Sequence, residues 1–241
     1  MKSLVIFAAG HGSRLGADVP KSLFPINGDE TILNVILQRV EEFFDKIHII
    51  IQPQYLQQFS SHTGSCMKVS YVCQDKPRGT SIALRDALPS LESGIVATLW
   101  GDQVGISSEL IESTLSKFSK EKINGILLPL CWRKHPYVSF DVTGELVTDF
   151  STSSMTRSFG YQDSGFAVST LSIWQRLYEN FDESSEDAYK RDGELNLMKM
   201  IVTGRNDVSC FSYVHYDEET TCGINTPADL EEYRRRTRVE R

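Results

Sequence analysis

The run Leu4 to Gly10, LVIFAAG, is the most restrictive stretch of this chain. Its seven residues carry no charge and no polar alternation, and they end in a loop that holds three glycines, one arginine and one lysine between Gly10 and Lys21. A continuous apolar run of this kind is a strand covered on both faces, the situation of a central strand in a parallel sheet. The pattern returns in IHIIIQP, closed by Pro53, in VSYVCQ (Val69 to Gln74) and in IVATLWGD (Ile95 to Asp102). Helical segments fall between these runs. DETILNVILQRVEEFF places Ile32, Val35, Ile36, Val40 and Phe43 on one face, with Asp29 or Thr31 as its cap, and GTSIALRDALPSL offers Thr80 to cap its first turn. Strands alternating with helices at this spacing predict a doubly wound α/β fold whose ligand site lies at the carboxyl ends of the strands. The loops Gly10 to Lys21 and Trp100 to Gln103 then converge there.

From Gly125 the pattern changes. GILLPL, YVSFDVTGELVTDF and SGFAVST read as strands, the middle pair turning at Val142 to Gly144 with antiparallel pairing, and this half reads as an inserted region that covers the substrate. ENFDESSEDAYKRDGE reads as a mobile surface loop rather than a linker between domains. CGINTPADLEEYRRR closes the chain as a short strand and a helix capped by Thr226 with Pro227 in its first position; the arginines that follow read as a solvated tail favouring the helix C-terminus. Length and apolar content suit one α/β domain over 1–241.

Composition narrows the function classes. With 25 Lys and Arg against 32 Asp and Glu, the formal charge is −7, so neither a general affinity for nucleic acid nor one for an anionic membrane is expected, and an anion site has to be local. The five cysteines are scattered without a CxxC pair, which argues against a disulfide framework or structural zinc and for a reducing cytoplasm. No window approaches membrane-spanning length, and the apolar start is too short for a secretion signal.

Glycines let backbone amides approach a ligand closely, and a nearby helix N-terminus favours negative charge, so the first loop is built for phosphate. The P-loop spacing GxxxxGK[ST] is absent, and the dinucleotide fingerprint lacks its third glycine because Leu15 stands there; Gln52 and Pro53 occupy the place of a ribose-binding acid. Arg14 and Lys21 suit a polyphosphate, a forked guanidinium with a compact ammonium, although the spacing alone also fits a turn with two solvated cations.

Ala8-Ala9-Gly10-x-Gly12-Ser13-Arg14-Leu15 with Pro20-Lys21 resembles the signature of the nucleotidyltransferase superfamily that makes nucleotide sugars. YVCQDKPRGTSIAL, LWGDQ and GINTPADLE resemble that family's base-binding, magnesium-binding and terminal segments, in the family's order, and DGELNLMKMI is similar to a stretch of bacterial N-acetylglucosamine-1-phosphate uridylyltransferases. The matches run from Leu4 to Leu230. The resemblance implies a Rossmann-like α/β/α sandwich with a mixed, mostly parallel sheet, in which about 1–124 bind nucleotide, about 125–222 bind the acceptor, and 223–241 bring the last metal ligand. It implies that Arg14 and Lys21 are catalytic, that Ala8, Ala9, Gly10, Gly12, Ser13, Gln74, Gly79 and Thr80 hold the nucleotide, that Gly101, Asp163 and Glu194 meet the substrate, and that Asp102 and Asn225 bind Mg²⁺. Asp163 stands where the family often has asparagine, which leaves the sugar open, and a plain turn residue fits it equally. Asp102 as a turn cap, Gln74 as a surface polar group and Glu194 as a helix-starting acid are the corresponding structural readings. His11 reads as a permissive loop position, His135 has no assigned role, and Trp132 and Trp174 read as core or lid packing.

The expected reaction joins a nucleoside monophosphate, UMP from UTP by resemblance, to a sugar-1-phosphate with release of pyrophosphate. CTP with phosphocholine, GTP with mannose-1-phosphate and a catalytically idle nucleotide sensor remain as alternatives, as does a homodimer. A glycosyltransferase with an Asp-x-Asp motif is disfavoured because no such motif occurs.

Overall fold

The computed structural model describes residues 1–10, 12–16, 19–64, 66–152, 158–179, 190–191, 194–203 and 207–239. Its centre is a ten-stranded sheet. The strands in chain order are β1 (Lys2–Phe7), β2 (Lys46–Ile51), β3 (Val69–Cys73), β4 (Ile95–Trp100), β5 (Ile126–Lys134), β6 (Val138–Thr143), β7 (Leu146–Thr152), β8 (Phe159–Asp163), β9 (Phe166–Thr170) and β10 (Cys210–His215). They lie in the order β8-β6-β7-β10-β5-β9-β4-β1-β2-β3, with β8 also paired to β5. β1 is parallel to β2 and β4, β2 to β3, and β10 to β5, whereas β9 runs antiparallel to β4 and β8 to β5. The sheet is therefore mixed, as expected.

Alternation along β1 explains the layers. Leu4 and Ile6 point into a core shared with α1 (Ile32–Val40) and α4 (Ser108–Lys120), while Val5 points into a second core shared with α3 (Thr80–Ala87), α5 (Leu171–Leu177) and α6 (Leu197–Val202). Leu4, Val5 and Ile6 are all fully buried, which is why no polar residue alternates in this run. α2 (Leu56–Thr63) adds Phe59 to the first core, and α7 (Pro227–Val239) adds Leu230. No helix among the described residues is long and apolar enough to cross a membrane.

Several expectations need correction. The second half is not an insertion laid over a finished sheet: β9 pairs directly with β4, and β5 and β10 continue the same sheet. The caps also differ in detail. Thr31, not Asp29, caps α1, in a reciprocal pair in which its hydroxyl accepts from Asn34 N at 3.3 Å and the Asn34 amide oxygen accepts from Thr31 N at 3.0 Å. Thr80 does not cap α3; Gly79 holds that place and the Thr80 hydroxyl accepts from Leu197 N at 3.0 Å, tying α3 to α6. Residues 222–226, directly before α7, form no strand. Trp132 is half exposed and meets Tyr161 edge to face, so it belongs to neither core, and Arg234 is not a solvated tail residue, since its Nε donates to Ile26 O at 2.7 Å. The acidic stretch 180–189 lies outside the described residues.

Trp174 is fully buried between α5 and the sheet, with its indole N–H donated to Val96 O at 3.0 Å. Trp174→Ala should lower the unfolding free energy by about 3–5 kcal/mol, from the lost burial and the cavity together with the lost indole hydrogen bond. The urea midpoint, read at unchanged slope, checks it.

Candidate active site

The glycine loop leaves β1 at the carboxyl edge of the sheet, where backbone bonds hold it in place. Ala8 N donates to Ile50 O at 3.0 Å, Gln52 Nε2 donates to Ala9 O at 2.8 Å, and Lys21 N donates to Gly10 O at 3.2 Å. Ser13, Arg14 and Leu15 make a single 3-10 turn closed by Leu15 N to Gly12 O at 2.8 Å. A side chain at Gly12 would put a Cβ 2.6 Å from Val19 O, so the fold-back of the loop requires glycine there. Arg14 is exposed on this turn, and Lys21 begins a second short turn, Lys21–Leu23, after Pro20. His11 lies outside the described residues.

Two distant segments meet this loop. Gly101 N donates to Phe7 O at 3.0 Å, which aligns the ends of β4 and β1, and Ile224 N donates to Asp102 O at 3.0 Å, which splices the segment before α7 onto the end of β4. Asn225 is set by the start of α7, where Asp229 Oδ2 accepts from Asn225 N at 2.9 Å and Thr226 N at 2.7 Å while the Thr226 hydroxyl accepts from Asp229 N at 3.3 Å. Thr226 is thus the cap that the sequence indicates. The result is one node: Lys21 Nζ donates to Asp102 Oδ2 at 2.7 Å and to Asn225 Oδ1 at 2.6 Å. The two side chains of the ion pair are only 20% and 13% exposed, so the interaction is shielded from water and stronger than a surface pair.

The node also bears on the expected metal. Asp102 Oδ1 is buried without a hydrogen-bond partner, while Asp102 Oδ2 and Asn225 Oδ1 already converge on a single cation, the Lys21 ammonium. Hard oxygen donors, one of them with unused capacity, fit Mg²⁺, which commonly takes one or two carboxylates and completes its shell with water and phosphate. Among the described residues no cluster of three or more His, Cys, Asp or Glu could hold a metal, so these two side chains are the candidate ligands.

Three adjoining cavities surround the node. A slot of about 170 Å³ is lined by Ala8, Ala9, Gly10, Lys21, Gln74, Gly79, Thr80, Gly101, Asp102 and Glu194, with Phe7, Ile50, Pro77 and Ala83 among its apolar walls. A cleft of about 390 Å³ shares Lys21, Gly79, Thr80, Asp102 and Glu194 with the slot and adds Arg14, Asp163 and Asn225. The third, about 630 Å³, shares Arg14 and Asn225 with the cleft and extends to Arg133, His135 and α7. Lys21 and Asp102 therefore stand where slot and cleft join. Gly79 has φ +101, and a Cβ there would sit 2.2 Å from Leu195 O, so glycine is needed where α3 and the Leu195 backbone pinch the slot. Of the loop residues expected to hold nucleotide, Ala8, Ala9 and Gly10 line the slot; Gly12 shapes the loop, and Ser13 is described only as part of the turn.

Asp163 faces the cleft but is also a turn residue, its Oδ2 accepting from Gly165 N at 2.9 Å. The turn reading holds, with the side chain on the cleft wall. His135, at φ +51, lines the third cavity away from Lys21. Cys222 lies there too; burial pushes its thiol up, against the pull of Arg236 and Arg133, so it supplies no thiolate nucleophile. Sequence reasoning missed Gln103, Tyr137, Gln162 and Asn196 on the cleft wall, and Gln52 under the glycine loop. Gln103 adjoins Asp102 in LWGDQ and Asn196 follows Glu194, which is the available signal; Tyr137 and Gln162 come from strands whose meeting no local pattern announces.

Residues 4–142 match the profile of the MobA-like NTP transferase domain. The Bifunctional protein GlmU of Thermodesulfovibrio yellowstonii is 28% identical over 238 residues, which cover 94% of this chain and 50% of that protein, so the chain spans about half the length of this relative. Among solved structures, CMP:2-keto-3-deoxy-manno-octonic acid synthetase complexed with CTP superposes with a TM-score of 0.76 at 17% identity, covering 100% of this chain and 99% of that one. UDP-glucose pyrophosphorylase complexed with UDP-glucose gives a TM-score of 0.75 at 14% identity with 100% of both chains covered. At these identities the two structures establish a shared fold.

Lys21→Met leaves the Asp102 carboxylate shielded and without its cation. It should cost about 1–3 kcal/mol of stability, and Lys21→Met with Asp102→Asn should recover part of that loss because no unpaired charge remains. Urea unfolding of the two single variants and the double variant completes the cycle.

Proposed function

Because this chain belongs to the MobA-like NTP transferase domain family, we propose that it transfers a nucleoside monophosphate from a nucleoside triphosphate, UTP in the first instance, to a sugar-1-phosphate, with Mg²⁺ and with release of pyrophosphate. One observation carries the reading: a lysine, a carboxylate and an amide oxygen from three distant segments meet where a small slot joins a larger cleft. A base in the slot and an acceptor in the cleft put the α-phosphate beside Lys21.

In the proposed reaction an oxygen of the acceptor phosphate attacks the α-phosphorus. The bond from that phosphorus to the β-bridging oxygen breaks, and the electron pair leaves with pyrophosphate. No covalent help is needed from the chain, since alignment and charge neutralisation dominate such transfers. Lys21 exchanges its bonds to Asp102 and Asn225 for the α-phosphate and the incoming phosphate, as a compact ammonium can. Arg14, exposed between the cleft and the third cavity, steadies the β and γ phosphates as they depart. Asp102 and Asn225, released by Lys21, are the residues that would hold Mg²⁺, which when bound offsets phosphate charge. Gln74 and the Gly79 amide face the base; Asp163 and Glu194 bound the acceptor side, whereas Gly101, expected to meet the acceptor, lines the slot.

Pyrophosphate release measured with four nucleoside triphosphates against a panel of sugar and alcohol phosphates, with and without Mg²⁺, tests the proposal. Turnover is expected with UTP and a hexose-1-phosphate or N-acetylhexosamine-1-phosphate, and its loss on chelation. Arg14→Ala and Lys21→Met should each lower kcat/KM by about 10²–10³, the size of effect seen when a preorganised transition-state donor is deleted. Turnover restricted to CTP and phosphocholine would replace the substrates and keep the chemistry, whereas no turnover with any pair would favour a sensor that binds nucleotide without reacting.

A further inference from the structure

Gln74 is 4% exposed at the end of β3, and its side chain lines the slot beside the apolar Ile50, Pro77 and Ala83, with the charged Lys21, Asp102 and Glu194 also on its wall. Its amide nitrogen donates to Asp86 Oδ2 at 3.3 Å, from the last turn of α3. Asp86 is itself held: Arg85 Nη2 and Nε donate to Asp86 Oδ1 at 3.1 and 3.3 Å, and Arg78 Nη2 lies 3.7 Å from Asp86 Oδ2. An ionised carboxylate only accepts hydrogen bonds, so this contact fixes which end of the Gln74 amide faces it. A glutamine amide could otherwise flip, offering a donor or an acceptor to the slot at little cost. With the nitrogen turned to Asp86, the carbonyl oxygen is what remains for a ligand.

We propose that Asp86 is a positioning residue that determines base specificity: by fixing the Gln74 amide, it makes the slot accept a base with a ring N–H, as in the imide of uracil or thymine, and reject one with a bare ring nitrogen, as in cytosine. An amide oxygen facing the cytosine ring nitrogen sets two acceptors against each other, and a buried polar group left unpaired in this way is costly. The inference rests on the nucleotidyltransferase reading, because it takes the slot to be a base site. It adds to that reading a residue that does not touch the nucleotide.

Calorimetric binding of UTP, CTP and GTP in the absence of acceptor tests it without turnover. The wild type is expected to bind UTP more tightly than CTP by about tenfold or more, as suits one mismatched buried polar group. Asp86→Asn is nearly isosteric, but its amide can donate as well as accept, so the lock is lost; the UTP to CTP ratio should fall at least about fivefold, with CTP affinity held or raised. Asp86→Ala should move the ratio the same way, and Asp86→Glu, which only accepts, should restore part of it. A merely structural role for Asp86 would weaken both nucleotides alike. Equal binding of UTP and CTP by the wild type, or an unchanged ratio in Asp86→Asn, would each overturn the proposal while leaving a nucleotide site. Binding of no nucleoside triphosphate at all would overturn the nucleotidyltransferase reading together with it.

Discussion

The contact on which the arrangement turns is the bridge from the Lys21 ammonium to Asp102 and Asn225. These residues are separated by 81 and 204 positions in the chain, and each belongs to a different structural unit: the loop after β1, the exit of β4 and the start of α7. A half-shielded cation that satisfies two oxygen donors joins all three at the carboxyl edge of the sheet. The same charge pattern suits a triphosphate. Anionic oxygens arriving beside Lys21 can take the ammonium from its internal partners, and the oxygens it leaves are hard donors suited to a divalent cation. In a chain with formal charge −7, the proposed binding of a polyanion at this node rests on local geometry, not on the overall field.

The fold supplies that geometry through backbone bonds more than through side chains. Parallel pairing of β1 with β4 brings Phe7 beside Trp100, and the next residues, Ala8 and Gly101, then emerge side by side. The carbonyl of Asp102 accepts from Ile224, so the residue after Ile224 cannot be far from the Asp102 side chain. On the other flank, β9 lies against β4 and carries the turn at Asp163 to Gly165 into the cleft. The slot and the cleft are therefore built on two flanks of one sheet. The second half of the chain shapes the site by extending the sheet rather than by covering a site already made.

The strands, α1, α3 and the glycine loop were legible because their signals are local: unbroken apolar runs, helical spacing, and glycines followed by cations. The family resemblance carried by GHGSRL, PK and LWGDQ is borne out by the domain match over residues 4–142, which ends before GIN, and the mixed α/β sandwich by the fold of the similar structures. What escaped was long-range. β8 and β10 were not foreseen, since FGYQD and CFSYVH are short and their partners lie far off in sequence. Thr80 has the chemistry of a cap, yet tertiary packing gave its hydroxyl to Leu197. The bridge itself was hidden: Lys21, Asp102 and Asn225 could each be picked out, but that the lysine would stand between the two expected metal ligands follows only from where the three segments meet. Asp86 was invisible for the same reason, as nothing in IALRDAL marks an acid that holds a glutamine from the neighbouring strand.

A crystal structure with a non-hydrolysable nucleoside triphosphate and Mg²⁺ tests the central claim most directly, by locating the Lys21 ammonium. The account predicts that Lys21 leaves Asp102 and Asn225 for the α-phosphate, with the divalent ion held by those two side chains and the phosphates. A nucleotide bound elsewhere while Lys21 still bridges Asp102 and Asn225 would contradict it.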